Sequence, residues 1–255
     1  ISQMPQGMDE FSRAKYLYEY LVKNVTYTSE KGEDYALMNG VFELGKANCD
    51  GFASSLQLLY QMAGMECYKV YYHGSDVGSD VGHVWNIAVV DGTPYHVDAS
   101  RGSLVTRQMW DTFSSAGADG REAISYSGFL MTEQQALGPG NNILNPFIRD
   151  KVDACTAPKP AGRIYDAVQE GWEKERFLTA AAEVLKKKKG LRSVFLSFHF
   201  TGARQLLDAQ NHFTTDEWDA YARQIGQRAD FYGRVIILND TSDNKVLCAL
   251  FEWGE

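Results

Sequence analysis

Three features are missing from this sequence, and each absence argues against a class of protein. No apolar run approaches the roughly 20 residues of a membrane-spanning helix, so no transmembrane segment is predicted. The four cysteines (Cys49, Cys67, Cys155 and Cys248) lie far apart with no Cys-x-x-Cys pair, which argues against zinc and against a disulfide framework. Positive charge is scarce. The 25 Lys and Arg against 33 Asp and Glu give a net charge of −8, which disfavours a nucleic-acid partner.

The sequence does contain enough apolar material for a folded core. Of its 255 residues, 44% are hydrophobic and 23% are charged, as is ordinary for a globular protein. The length suits two domains. A stretch punctuated by Pro and Gly from Gly138 to Gly162 indicates the boundary. We therefore predict a first domain over 1–140, a linker over 141–162 and an accessory α+β domain over 163–255.

The best-defined helix in the sequence begins at a cysteine. Asn48 is a favourable N-cap residue, and Phe52, Leu56 and Leu59 follow at the spacing of one helical face. Cys49 therefore lies in the first helical turn, where free N–H groups and the helix dipole stabilise an anion and lower the pKa of a thiol. This position suits a nucleophile better than a buried structural thiol.

A β-hairpin downstream brings a histidine close to an aspartate. Two apolar runs, 84–90 and 95–98, flank Asp91-Gly92, which is a strong signal for a two-residue turn. In the register that such a turn sets, His83 and Asp98 are diagonal neighbours on one face, roughly 7–8 Å apart. Side chains span that gap, so the turn chemistry alone predicts a contact between His83 and Asp98.

A cysteine, a histidine and an aspartate in this order supply a thiol nucleophile, its base and a carboxylate that orients the base. We interpret Cys49, His83 and Asp98 as a catalytic triad that needs no cofactor and no metal. Four further side chains are candidates for binding the oxyanion or the substrate: Tyr35, Asn39, Asn48 and Trp85.

The motifs around these residues resemble those of the transglutaminase-like superfamily, whose fold is related to papain-type cysteine proteases. The matching segments are Cys-Asp-Gly-Phe-Ala at 49–53, Gly-His-Val-Trp-Asn at 82–86 and Tyr-His-Val-Asp at 95–98. Their order and spacing agree over about residues 8–131, and the bacterial branch is the most similar. Two positions depart from the family pattern: Asn48 precedes the nucleophile, and Ala99-Ser100-Arg101 replaces Pro-Thr-Trp after the aspartate.

The resemblance implies both a fold and a reaction. The fold is α+β: a papain-like core, in which a central helix carrying Cys49 packs on an antiparallel sheet carrying His83 and Asp98, precedes a smaller α+β domain. The reaction is acyl transfer from a peptide or protein amide through a thioester. Hydrolysis is favoured over cross-linking because no site for an amine acceptor is identifiable. Transglutaminase-type cross-linking, a non-catalytic peptide- or glycan-binding module and a structural surface protein remain alternatives.

The resemblance also bears on location. Many bacterial relatives are secreted or attached to the surface, so an extracytoplasmic location is expected. The chain begins at Ile1 without an initiator Met or a signal segment, as a trimmed or mature form would. The oligomeric state stays open.

In the rest of the chain, the pattern of apolar residues predicts approximate bounds for helices, strands and loops. Residues 101–128 are expected to be irregular, and residues 74–82, rich in Gly, Ser and Asp, are expected to form a mobile loop with too few ligands for calcium. Helices are predicted over about 8–25, 33–38, 173–189 and 214–229, and strands over 67–73, 129–131, 194–200, 235–238 and 246–251.

Overall fold

The computed structural model describes residues 2–30, 32–73, 82–137, 148–188, 193–211, 215–229, 233–239 and 246–253. They form two compact units, one made of 1–107 and 124–159 and the other of 108–123 and 160–255. Residues 74–81 of the predicted loop and 141–147 of the predicted linker lie outside the described residues. Of the rest of the predicted linker, 148–159 group with the first unit, and the boundary placed at 140 stays a prediction.

The first unit contains short parallel strands, a three-stranded antiparallel sheet and a central helix. Its elements in chain order are α1 (Glu10–Asn24), β1 (Thr26–Tyr27), α2 (Glu33–Ala36), α3 (Met38–Phe42), β2 (Lys46–Ala47), α4 (Cys49–Met62), β3 (Cys67–His73), β4 (Gly82–Val90), β5 (Thr93–Val97), α5 (Ala99–Ser115), α6 (Glu133–Leu137) and α7 (Arg149–Asp153). The division between the two units falls within α5, after Arg107.

Helix α4 begins at the cysteine, as predicted. The Asn48 side-chain oxygen accepts hydrogen bonds from the N–H groups of Asp50 and Gly51 at 3.0 and 3.2 Å, which caps the helix. The apolar face that the sequence pattern indicates is buried, with Phe52 and Leu56 almost fully enclosed. This packing fixes the axis of α4, and the cap therefore fixes where its first residue, Cys49, lies.

The predicted hairpin is also confirmed. Val90 pairs with Thr93, and Asp91 and Gly92 between them both have positive φ (50° and 77°), as a type I′ turn requires. The sheet order is β3-β4-β5 with both pairs antiparallel. The Asn86 side chain on β4 donates to the Ala53 carbonyl oxygen of α4 at 3.0 Å, so the sheet is joined to α4 by a buried hydrogen bond.

The prediction that residues 101–128 are irregular is wrong over 101–115, which belong to α5 (99–115), and is confirmed over 116–128, which contain only turns and coil. Asp98 starts this helix by accepting a hydrogen bond from the Arg101 N–H at 3.0 Å. The buried positions of α5 include Gly102, Ser103 and Thr106 alongside its apolar residues, and such small and polar residues hide the helical period in the sequence. The strand predicted over 129–131 is reduced to one β-bridge, between Met131 and His96.

The second unit is α+β. Its sheet has the order β6-β7-β9-β8, in which β6 and β7 are parallel and the other pairs are antiparallel. Its core is rich in Phe and Leu. Within the described ranges, no helix combines the length and the apolar character that crossing a membrane needs. The elements are α8 (Ala161–Ile164), β6 (Ala167–Gln169), α9 (Lys174–Lys187), β7 (Ser193–Phe200), α10 (Ala203–Asn211), α11 (Thr215–Ala229), β8 (Gly233–Asn239) and β9 (Val246–Trp253).

A substitution at Gly51 tests how closely the chain preceding α4 packs against this helix. A Cβ at Gly51 would lie 2.5 Å from the Tyr35 carbonyl oxygen and 2.9 Å from the Ala47 Cβ. Although alanine favours a helix, Gly51→Ala should lower the free energy of unfolding by about 1–3 kcal/mol, because these neighbours must move. Urea unfolding followed by circular dichroism measures the change.

Gly162→Ala is the matched control for this substitution. Gly162 is also helical, but a Cβ there would meet nothing within 4 Å, so its variant should be as stable as the wild type or slightly more stable. Equal stability changes for the two variants would contradict the close approach at Gly51.

Candidate active site

The Cys49 thiol is partly exposed at the start of α4. Burial by itself would raise its pKa, but hydrogen bonding with the His83 ring and with the Val84 backbone, together with the charge of His83, lowers the pKa below the ordinary value for a thiol. Among the described residues, the Cys49 N–H has no hydrogen-bond acceptor. The sulfur therefore favours the thiolate, and a backbone donor is available beside it.

His83 lies near the start of β4, between the thiol and the carboxylate. Its Nε2 is 2.7 Å from Asp98 Oδ2, which leaves Nδ1 for the interaction with Cys49. Burial would lower the pKa of His83, but the hydrogen bonds with Asp98 and Cys49 and the charges of both raise it to about 10. The ring is therefore an imidazolium at neutral pH, and the contact predicted from the hairpin register is present.

Asp98 directly follows β5 and uses both of its oxygens. Oδ2 meets His83, while Oδ1 accepts the Ser100 hydroxyl at 2.6 Å and the Arg101 N–H at 3.0 Å. Burial would raise the pKa of Asp98, but these hydrogen bonds and the charge of His83 lower it. Its own N–H donates to the Gly128 carbonyl oxygen at 2.7 Å, which fixes the backbone. Asp98 therefore remains a carboxylate that faces His83.

The four candidates for oxyanion or substrate binding lie in different surroundings. The Asn48 oxygen is occupied as the helix cap. The one N–H of the Trp85 side chain is donated to His96 Nδ1 at 2.9 Å. The Asn39 amide donates to Asp34 at 3.4 Å, and the carbonyl oxygen of Tyr35 accepts the Asn48 N–H at 2.9 Å. The roles of all four stay predictions, and for Trp85 an oxyanion contact would require breaking an existing bond.

Two neighbours of the site are absent from the sequence-based prediction. Tyr27 on β1 pairs with Ala47, two residues before the nucleophile. Burial, followed by the charges of Cys49 and Asp98, raises the pKa of its phenol, which keeps this hydroxyl protonated beside the triad. Lys69 forms an ion pair with Asp50, with Nζ and Oδ1 2.5 Å apart. Tyr27 and Ala47 are 20 positions apart, and the Lys69–Asp50 ion pair joins a strand to a helix. Neither contact can be inferred from a short segment of the sequence.

In the parts of the chain that the structure describes, no group of three or more His, Cys, Asp or Glu side chains is arranged to hold a metal ion. What the arrangement offers chemically is a thiol of lowered pKa next to an imidazolium, whose ring is hydrogen-bonded to a carboxylate.

Residues 2–99 match the family model of the transglutaminase-like superfamily. This span contains Cys49, His83 and Asp98 and ends one residue beyond Asp98. The resemblance noted over about 8–131 is thus shown up to 99.

Curated relatives and solved structures match over parts of the chain. The kyphoscoliosis peptidase of Homo sapiens is 23% identical over 123 residues, which are 44% of this chain and 19% of the relative. That of Mus musculus is 21% identical over 112 residues, 39% of this chain and 17% of the relative. The aligned part is therefore less than a fifth of either relative.

Solved structures also align with about a third of the chain. A TGase structure aligns with a TM-score of 0.32 at 20% identity, covering 37% of this chain and 27% of that chain. A candidate cysteine protease from Cytophaga hutchinsonii aligns with a TM-score of 0.31 at 16% identity, covering 36% and 32%.

The difference in pKa among the thiols predicts selective labelling. Cys49 is partly exposed and has a lowered pKa, whereas burial raises the pKa of Cys67 and of Cys155 to about 12. Iodoacetamide at neutral pH should therefore alkylate Cys49 in the native protein and leave the other two unmodified. Peptide mass spectrometry against time measures each rate.

The role of the histidine follows from one variant. His83→Gln removes the cation that stabilises the thiolate, so the pKa of Cys49 should rise and its alkylation at neutral pH should slow by about tenfold or more. The native Cys67 and Cys155 are internal controls. Alkylation of either before Cys49, or an unchanged rate in His83→Gln, would contradict the thiolate–imidazolium pair.

Proposed function

We propose that this protein, whose residues 2–99 are transglutaminase-like, is a cysteine-nucleophile acyl-transfer enzyme that cleaves peptide or protein amide bonds. The observation that carries the proposal is the continuous contact from the Cys49 thiol through the His83 ring to Asp98. A thiolate and an imidazolium in contact are the starting state for attack on a carbonyl group.

Acylation begins from this ion pair. The Cys49 sulfur attacks the carbonyl carbon, and the carbonyl π electrons move onto the oxygen. His83 then gives the proton on Nδ1 to the amide nitrogen, so that the C–N bond breaks, the amine leaves and a thioester remains. Asp98 keeps Nε2 protonated and the ring oriented throughout, because its Oδ2 lies 2.7 Å from that nitrogen.

The negative oxygen of the tetrahedral intermediate needs donors aimed at it. The Cys49 N–H supplies one, because it has no acceptor among the described residues and lies at the N-terminus of α4. The helix dipole acts in the same direction, since the positive end of α4 faces the reacting group.

Deacylation decides between hydrolase and transferase. After acylation His83 is neutral and takes a proton from the water that attacks the thioester carbonyl carbon. The C–S bond then breaks, which releases the acid and restores the thiolate–imidazolium pair. We favour water because the thiol is partly exposed, which gives water access, and because the aligned curated relatives are named peptidases. An amine in place of water would form a new amide, which is the cross-linking alternative.

A non-catalytic binding module and a structural surface protein are the other classes of function. Neither function needs a thiol whose pKa is lowered although burial alone would raise it. Neither needs a neighbouring histidine whose pKa is raised to about 10. Perturbed titration at three touching groups instead favours catalysis.

Removal of the nucleophile tests the proposal directly. Cys49→Ala should abolish hydrolysis of peptide amides while changing stability little, because it removes one atom from a partly exposed side chain. Turnover of a peptide library is followed by mass spectrometry, and a labelled primary amine reports transfer.

Cys67→Ala is the matched control, because it deletes a buried thiol of the same unit. This variant should lose stability but retain kcat. Wild-type activity in Cys49→Ala would refute the nucleophile, whereas amine incorporation faster than hydrolysis would keep the nucleophile and make the enzyme a transferase.

Asp98→Asn tests the orientation of the base. An amide at position 98 still caps α5 with its oxygen, but it no longer supplies the charge that holds His83 as a cation. We expect kcat to fall by about 10²–10⁴-fold. The pKa of His83 should drop from about 10, so the alkaline limb of the pH–rate profile should move to lower pH.

Ser100→Ala is the comparison for Asp98→Asn. It removes a hydrogen bond to Oδ1 and leaves the contact of Oδ2 with His83 in place. Its kcat should fall far less. If the alkaline limb stays in place in Asp98→Asn, Asp98 does not set the charge of His83.

A further inference from the structure

A second histidine, which the proposed reaction does not use, lies behind His83. His96 on β5 is fully buried, at 0% exposure. Its Nδ1 accepts the hydrogen bond from Trp85 Nε1 at 2.9 Å, and its Nε2 has no hydrogen-bond partner among the described residues. Because Nδ1 is an acceptor, the proton is on Nε2 and the ring is neutral. Burial also lowers the pKa of His96 to about 4, in keeping with this tautomer.

The indole that His96 holds lies against the proposed base. The rings of Trp85 and His83 are stacked, with centroids 5.3 Å apart and planes 30° apart. Trp85 is buried with Val70 and Ile87, and Tyr72 lies against it with ring centroids 6.2 Å apart. Apolar contacts with these neighbours are not directional. The hydrogen bond to His96 is directional, and it therefore fixes the orientation of the indole ring.

An apolar residue would be the less costly choice at position 96. A buried imidazole loses its hydration, and here one of its two nitrogens recovers no hydrogen bond from the described residues. What His96 provides and a leucine lacks is an acceptor for the Trp85 N–H. Local costs of this kind are characteristic of positions that serve a site.

We infer that His96 is a positioning residue for the proposed reaction: by accepting the Trp85 N–H, it fixes the indole face against His83 and keeps the His83 ring between Cys49 and Asp98. His96 itself touches neither the reacting sulfur nor the substrate. The inference rests on the proposed nucleophilic role of Cys49, and the experiment separates the two.

The readout is the alkylation rate of Cys49 as a function of pH. His96→Leu keeps the bulk and removes the acceptor, which frees the indole to turn and the His83 ring to tilt away from the sulfur. We expect alkylation at neutral pH to slow by about tenfold, a factor that corresponds to the net free energy of one buried hydrogen bond. The midpoint of the alkylation rate against pH should move to higher pH. His96→Gln, which retains an acceptor, should recover part of the rate.

A double-mutant cycle tests whether His96 acts through Trp85. Trp85→Phe keeps an aromatic ring against His83 but has no N–H, so adding His96→Leu to it should slow alkylation by less than twofold further. A full tenfold additional loss in the Trp85→Phe background would overturn the inference.

Tyr60→Phe is the control for a purely structural effect. It removes another buried hydrogen bond of the first unit, from the Tyr60 hydroxyl to the Ala14 carbonyl oxygen at 2.9 Å. It should lower the unfolding midpoint and leave the alkylation profile of Cys49 in place. A shift of the profile equal to that of His96→Leu would show that any loss of stability suffices, and would overturn the inference.

A measurement on the wild type covers the case in which His96→Leu does not fold. In a ¹⁵N spectrum, the indole resonance missing from Trp85→Phe is that of Trp85, and its N–H should be protected from solvent exchange. Exchange as fast as that of an exposed indole would overturn the inference. Fast alkylation of wild-type Cys49 with an unchanged rate in His96→Leu would overturn it too, while the proposed function would stand. Wild-type Cys49 reacting no faster than Cys67 would overturn both.

Discussion

The arrangement of this site depends on one cation held between two helix N-termini. Cys49 is the first residue of α4, and Asp98 caps α5 while it accepts a hydrogen bond from His83. Both anions thus lie at the positive ends of helix dipoles, and the imidazolium of His83 lies between them. The cation stabilises both anions and is stabilised by both, despite burial, which would disfavour any one of the charges alone. The two anions oppose each other, since the charge of Asp98 raises the pKa of Cys49.

The rest of the first unit keeps the two helix starts at a fixed separation. The β4–β5 hairpin carries His83 on one strand and delivers Asp98 at the end of the other, in a register set by a two-residue turn. The Asn86–Ala53 hydrogen bond joins β4 to α4, and the close approach at Gly51 seats α4 on the chain before it. The position of the Cys49 sulfur is therefore set by contacts that other residues of α4 make with β4 and with the preceding chain.

Those parts of the site that local chemistry specifies were predictable from the sequence. Asn48 caps α4 with its own side chain, and Asp91-Gly92 sets the hairpin register, so the start of α4 and the His83–Asp98 contact were both predicted. Helix α5 escapes prediction because small and polar residues at its buried positions, such as Gly102 and Ser103, hide the helical period. Tyr27 and His96 acquire their neighbours from strand pairing and from a cross-strand ring contact, which no short segment encodes. The grouping of 108–123 with the second unit is equally invisible to composition.

The double use of Asp98 has a consequence for how related sequences should be interpreted. One oxygen starts a 17-residue helix and the other serves the imidazole, so selection for folding alone would preserve this carboxylate after catalysis had been lost. Cys49 has no such second duty, because Asn48 caps its helix. In a lineage that drifts away from chemistry, the aspartate would therefore be expected to outlast the cysteine. An aspartate at this place in a distant homologue is therefore evidence of a shared fold, whereas the cysteine is the better indicator of retained catalytic activity.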